Sequence, residues 1–321
     1  VTGVGDVNGD GYDDFLIGSI SSDYGGLVAC QNYLFLGRAT QRDPDYDPFR
    51  PWWNTNYPVA GADASFVGEA AGDESGRRVA WAGDVNSDGY DDFIIGAARN
   101  GTAGHWAGIA HLVLGRPAAD WGLRYSLSLA DASFIGEEED DQAGRRLSGV
   151  GDVNNDGYDD FVIGAPHNAR GGESAGSAYL IYGRPTVDWG SYYSLSHADV
   201  IYVGMPEIGV AGYDQGWLDD FDGDGIDDFI IAAYGGRNDK NVPGDTYLLL
   251  GSDAPVPSKF LPDVPRTYFM WRKFTTEYWN LEGWQDIDTV QLVLGRDAND
   301  SGGISAKYEV ATNALYLWDS Q

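Results

Sequence analysis

The sequence predicts an all-β fold, a β-propeller, from three observations. One acidic loop is written four times, starting at Asp6, Asp84, Asp152 and Asp220, so successive copies lie 78, 68 and 68 residues apart. Two landmarks keep time with it: Phe66-x-Gly68, Phe134-x-Gly136 and Tyr202-x-Gly204 stand ahead of the last three loops, and apolar segments ending at Gly37, Gly115, Gly183 and Gly251 follow all four. No stretch sustains a helical period. Short strands, Gly-rich turns and a repeat of this length are the signature of propeller blades, of which four are visible.

Within one unit the elements follow in order. A short strand is expected over 78–82, ahead of the loop, and a buried one over 93–97, after it. A third is expected over 109–114 and a fourth near 125–134. The strand after each loop opens on an apolar run (Phe-Leu-Ile, Phe-Ile-Ile, Phe-Val-Ile, Phe-Ile-Ile), as a strand buried on both faces requires. The blades are expected to fill residues 1–255. A Pro-rich linker at 256–265 follows, and a small β-sandwich-like segment occupies 266–321, with strands expected over 289–294, 304–310 and 314–318.

The loop carries chemistry. Counted from its first Asp, each copy offers side-chain oxygens at positions 1, 3, 5 and 9 and a glycine at 6, as in Asp84-Val-Asn86-Ser-Asp88-Gly89-Tyr90-Asp91-Asp92. A hard cation such as calcium takes six to eight oxygens, and alternate residues of a tight loop can turn inward while glycine makes the sharp bend. Position 7 (Tyr12, Tyr90, Tyr158 or Ile226) would add its backbone carbonyl. The likeness to an EF-hand stops at position 12, where Ile17, Ile95, Ile163 and Ile231 replace the bidentate Glu, so the loop joins two strands.

Composition narrows the partners. Asp and Glu number 50 against 20 Lys and Arg, a formal charge of −30; the eight positive charges of four calcium ions would still leave −22. That excess excludes nucleic acid and adsorption to anionic membrane. No apolar run reaches the length of a membrane helix, so no membrane insertion is expected, and no signal peptide opens the chain, which reads as a processed or truncated end. Cys30 stands alone, so a disulfide-stapled fold is excluded and a buried thiol is expected. Loops of modest affinity suit extracellular calcium levels.

The Phe-x-Gly landmark, the Gly-Ala-Pro at Gly164 to Pro166 with its weaker form at Gly96 to Ala98, and the acidic loop between them resemble the FG-GAP repeats of integrin α-chain propellers over about residues 1–255. The resemblance implies about four calcium ions. Their ligands would be Asp6, Asn8, Asp10, Tyr12 and Asp14; Asp84, Asn86, Asp88, Tyr90 and Asp92; Asp152, Asn154, Asp156, Tyr158 and Asp160; and Asp220, Asp222, Asp224, Ile226 and Asp228. Such propellers usually have seven blades, with calcium in the last four, followed by a β-sandwich. Here every visible blade has the loop, so either three blades lie outside this sequence or the ring closes differently.

No catalytic constellation is found. His105, His111, His167 and His197 occupy unrelated repeat positions, and neither a His-Glu-x-x-His motif nor a Gly-x-Ser-x-Gly elbow occurs. The paired carboxylates, Asp91-Asp92 and their equivalents, are explained by calcium. Arg77-Arg78 and Arg145-Arg146 are expected to pair with loop carboxylates. Trp121 and Trp189 recur in Asp-Trp-Gly and are expected to pack between blades, with a sugar-stacking shelf as the other reading. Asn100 and Asn299 open glycosylation sequons. The expected function is a non-catalytic, calcium-stabilised extracellular adhesion or surface-structural protein with a protein or glycan ligand at the cell surface. Self-assembly through open β edges, even into a fibre, is a variant; the alternative is a carbohydrate-binding module of a larger secreted protein or enzyme.

Overall fold

The computed structural model of the chain describes residues 1–20, 30–38, 59–185, 189–204, 210–234, 245–252, 289–294, 303–309 and 314–320. The fold is all-β, with no α-helix among the described residues. It divides into two compact units, Val1–Phe260 and Leu261–Gln321.

The first unit holds four antiparallel blades. Blade 1 comprises β1 (Thr2–Gly5), β2 (Asp14–Ile17), β3 (Gln31–Phe35) and β4 (Ala64–Val67). Blade 2 comprises β5 (Arg78–Gly83), β6 (Asp92–Ala97) and β7 (Ile109–Val113), then β8 (Tyr125–Ser126) and β9 (Ala132–Ile135). Blade 3 repeats this with β10 (Arg146–Gly151), β11 (Asp160–Ala165), β12 (Ser177–Ile181), β13 (Tyr193–Ser194) and β14 (Val200–Val203), and blade 4 has β15 (Val210–Asp219), β16 (Asp228–Tyr234) and β17 (Asp245–Leu249). The second unit contributes one antiparallel meander of β18 (Thr289–Leu294), β19 (Gly303–Glu309) and β20 (Ala314–Ser320), within a residue or two of the expected strands. The linker at 256–265 and Asn299 lie outside the described residues.

The fourth strand is shorter than expected, and its first half belongs elsewhere. A 3-10 turn at Leu127–Leu129 splits the segment 125–135. Tyr125 and Ser126 then pair in parallel with Phe66 and Val67 of the preceding blade, as Tyr193 and Ser194 pair with Phe134 and Ile135. Blades 2 and 3 thus each send a two-residue strap to the outer edge of the blade before, covering backbone groups that a bare edge strand would expose.

Apolar faces pack blade on blade. Leu16, Leu34 and Phe66 of blade 1 meet Phe93, Ile95 and Val113 of blade 2, and the same positions recur between blades 2 and 3 and between blades 3 and 4. The Phe-x-Gly landmark lies in these seams. Phe66 meets the edge of Phe93 with centroids 5.3 Å apart, Phe134 meets Phe161 at 5.3 Å, and Tyr202 meets Phe229 at 6.1 Å. Its glycine is obligatory in blade 2, because a Cβ on Gly136 would lie 2.1 Å from the Ala107 carbonyl oxygen.

Trp121 and Trp189 belong to the same seams. Trp189 is 4 % exposed and packs edge-on against Phe134 and Phe161 with the Arg184 guanidinium over its ring, and Trp121 sits alike on Phe66 and Phe93 beneath Arg116. Both rings therefore pack in the seams between blades, each with an arginine over one face.

The arginine pairs differ from expectation. Arg77 bonds Glu74 at 2.5 Å, Arg145 bonds Gln142, Arg78 reaches the Leu147 carbonyl and Asp214, and Arg146 donates to the Tyr213 carbonyl at 2.7 Å. Arg78 and Arg146 start their strands, at the opposite end from the acidic loop, so loop carboxylates are out of reach. Cys30 is fully buried, and burial pushes its thiol up to about 11, which leaves it an inert apolar side chain.

Candidate metal centre

Each acidic loop joins the innermost strand of its blade to the second. In loop 1 the Asp10 amide donates to Asp6 Oδ1 at 3.0 Å and to Asn8 Oδ1 at 2.9 Å, and the Gly11 amide donates to Asp6 Oδ2 at 2.7 Å. Loops 2 and 3 repeat these bonds at Asp84, Asn86 and Asp88 and at Asp152, Asn154 and Asp156. Two oxygens sharing one N–H lie close together, so positions 1 and 3 converge on the hollow of the turn. Glycine at position 6 has φ between +86° and +93° in all four loops with nothing within 4 Å, so it serves conformation alone.

Loop 4 has a third carboxylate in place of the asparagine. One oxygen from each of Asp220, Asp222 and Asp224 lies within 4.8 Å of the others. Like charges this close raise one another's cost unless a cation joins them. The donor set is all oxygen, which fits a hard divalent cation and not a thiolate- or imidazole-seeking metal.

Position 9 has a second duty. Asp14, Asp92, Asp160 and Asp228 are at most 2 % exposed, and each bridges two backbone amides, Asp228 accepting from a third, that of Asp222. Asp92 accepts from Val85 at 2.9 Å and from Gly115 at 2.7 Å, and Asp160 accepts from Val153 and Gly183 in the same way. Burial, reinforced by the carboxylates of positions 1 and 5 and opposed by the two amides, raises Asp14 to about 6, Asp92 to about 8 and Asp160 to about 9. Ionised, they need a positive charge nearby. Position 7 orients each loop through its amide, which donates to the position 5 carboxylate at 2.9 to 3.1 Å.

Position 8 is the residue that sequence reasoning missed. Asp91 was grouped with Asp92 as a calcium residue, but its carboxylate reaches back to the preceding blade, where Oδ2 accepts the Asp6 amide at 2.8 Å. Asp159 accepts the Asp84 amide at 2.9 Å, and Asp227 accepts the Asp152 amide at 3.0 Å. These clasps tie loop to loop along the blade stack. The residue just before each receiving amide is Gly5, Gly83 or Gly151, at φ of +72° to +83°, where a Cβ would lie 2.1 to 2.2 Å from the clasping oxygen. The signal was present in the sequence as glycine before the first Asp in three of four copies.

The sequon at Asn100 is closed in the folded chain. Asn100 is 3 % exposed, its Nδ2 donates to Asp73 at 2.9 Å, and its Oδ1 accepts from Thr102 at 2.9 Å. Asn168 and Asp141 form the same bond at 2.9 Å one blade on, so this is a structural pair.

Comparison with known proteins defines the class. Residues 75–113 and 143–181, which span loops 2 and 3 with their flanking strands, match the FG-GAP repeat. A phosphatidylinositol-glycan-specific phospholipase D of Dictyostelium discoideum is 29 % identical over 212 residues, 63 % of this chain and 21 % of that protein. Integrin alpha pat-2 of Caenorhabditis elegans is 29 % identical over 187 residues (57 % and 14 %), and integrin alpha-5 of Xenopus laevis is 31 % identical over 183 (53 % and 16 %). The chain carries an FG-GAP region built of propeller blades, and that region is integrin-α-like. The matches span about a fifth or less of each relative's length. Among the described residues no helix is long and apolar enough to cross a membrane.

Proposed function

We propose that the chain is a non-catalytic, calcium-stabilised module of FG-GAP blades that works outside the cell in adhesion or as surface structure, presenting its blades to a protein or glycan ligand. The observation that carries the reading is the coupling of loop to junction. The oxygens that would hold the ion and the carboxylate that clasps the preceding blade belong to one nine-residue turn. An ion bound at positions 1, 3, 5, 7 and 9 would fix the backbone at position 8 and with it the clasp, so binding would favour the assembled stack. The carboxylates belong to this scaffold, and the four histidines do not gather at one site: His111 is buried in a seam, while His105 sits on the surface beside Asp140. The integrin relatives support an extracellular role. The phospholipase D relative is covered over only 21 % of its length, so that match bears on the blades and not on its activity.

Calcium titration by calorimetry tests this. About four ions per chain are expected, falling by one in Asp88→Ala. No heat of binding at millimolar calcium would refute the reading.

A further inference from the structure

The innermost strands carry a pattern of their own. Three residues ahead of the first loop Asp, blades 1 to 4 have Gly3, Trp81, Gly149 and Trp217. The two indoles meet, with ring centroids 5.3 Å apart and planes tilted by 46°. Gly149 makes room for the first of them, because a Cβ there would lie 2.8 Å from Trp81 Cε3. Both indole N–H groups are already used: Trp81 Nε1 donates to Asp91 Oδ1 at 2.9 Å and Trp217 Nε1 to Asp227 Oδ1 at 3.0 Å. Those bonds fix the rings and leave only their faces to offer a ligand.

The two rings line a cavity of about 210 Å³, together with Thr2, Arg78 and Ser148. Trp81 is half-buried and Trp217 is 45 % exposed, so the aromatic wall is open to solvent. Arg78 also reaches Asp214 at 3.6 Å and donates to the Leu147 carbonyl. The two charged side chains remain 43 % and 59 % exposed, which leaves each with hydrogen-bonding capacity to spare. Fixed aromatic faces with a few polar groups beside them are the make-up of a small-molecule site.

Charge selects among the ligands that such a site could take. The formal charge of −30 repels an anion. A cation is disfavoured by Arg78 in the wall and by Arg146, which holds the same strand position one blade on and lies 5.1 Å above the Tyr213 ring. What remains is a neutral molecule with an apolar face for an indole and hydroxyls that accept from a guanidinium and donate to a carboxylate. A pyranose ring has both, its axial C–H groups on one face and its hydroxyls around the edge. We propose that the Trp81–Trp217 cleft binds one neutral pyranose unit of a glycan, stacked on an indole face, with Arg78 and Asp214 on its hydroxyls. This names a ligand class and a place for the reading above, on which it rests, since the cleft exists only while the blade stack holds the inner strands side by side.

The test is saturation-transfer NMR on the 321-residue chain in millimolar calcium. The probes are the methyl glycosides of glucose, galactose, mannose, N-acetylglucosamine and N-acetylneuraminic acid, and tetramethylammonium. At least one neutral glycoside receives saturation, strongest at the protons of one ring face, while the anionic glycoside and the ammonium ion receive none. Trp217→Ala weakens that binding by about tenfold or more. Ser148→Leu, which fills part of the cavity and leaves both indoles in place, weakens it as much and keeps its calcium, so the loss is not one of folding. Calcium binding without any neutral glycoside binding in the unaltered chain would overturn this inference alone, whereas absence of calcium binding would overturn the reading beneath it. Glycoside binding that survives both substitutions, or that N-acetylneuraminate or tetramethylammonium matches, would overturn the inference as well.

Discussion

Blades 3 and 4 carry nearly the same loop and opposite surroundings. Both turn on a glycine, Gly157 or Gly225, at almost the same φ, and both seat a buried Asp, Asp160 or Asp228, on backbone amides from the loop and from the end of the third strand. Yet Leu180 has no exposure and Leu248 has 46 %. The loop is a local structure, written in nine residues and indifferent to its neighbours. The junction is non-local, and it hinges on a glycine and a carboxylate in different blades.

That contrast can be broken or sharpened by substitutions at matched positions, read from urea denaturation in calcium. The largest difference is expected in the apolar seam. Leu180→Ala leaves a cavity and costs about 2–5 kcal/mol, while Leu248→Ala costs under about 1 kcal/mol because its side chain is already wet. Equal losses would mean that blade 4 is as covered as blade 3. Next comes the close approach: Gly151→Ala forces a Cβ onto the Asp227 carboxylate at positive φ and should cost about 2–3 kcal/mol.

The clasp itself follows. Asp159→Ala strands the Asp84 amide and should cost about 1–2 kcal/mol, whereas Asp13→Ala, at the same loop position but exposed and accepting no hydrogen bond among the described residues, should fall within about 0.5 kcal/mol of the unaltered chain. The smallest effect concerns pH. His111 lies fully buried on the face of blade 2 that Ile95 and Val113 turn toward blade 1, with Nδ1 2.9 Å from Ser133 Oγ, and burial holds it down at about 3. The unfolded chain takes up this proton near the ordinary 6.5 and the folded chain does not, so its stabilising contribution is full above pH 6.5 and is lost as pH falls toward 3. Replacing it by Gln should relieve about 1 kcal/mol of acid destabilisation at about pH 5.5. Identical pH profiles for the two proteins would remove His111 from the account.

Much of this was legible in the sequence because it is periodic and local. Alternation of Asp, Asn and Gly fixes the loop, the apolar runs after it fix β2, β6, β11 and β16, and the common spacing fixes the stacking of blades. What escaped depends on distance along the chain. Asp159 and the amide it holds are 75 residues apart, and no spacing rule links them. Tyr125 continues the pattern of a strand, but the 3-10 turn after it hands it to another sheet. Trp121 and Trp189 could have faced either way; both pack on the seams, Trp189 buried and Trp121 half-buried, beneath Arg116 and Arg184, which sit in the recurring Leu-Gly-Arg and Tyr-Gly-Arg segments. The glycines at 5, 83 and 151 were visible as a pattern, but their cause is an atom of the next blade.

The most direct test of the link between ion and junction is amide hydrogen exchange at Asp6, Asp84, Asp152 and Asp220, measured in millimolar calcium and again in excess EDTA. The account predicts that the first three amides, each held by a clasping carboxylate, are protected in calcium and lose that protection in EDTA. Asp220, whose amide receives no clasp among the described residues, serves as the internal reference. Equal protection of Asp6, Asp84 and Asp152 in both conditions would contradict the account, because the clasps would then stand without the ion.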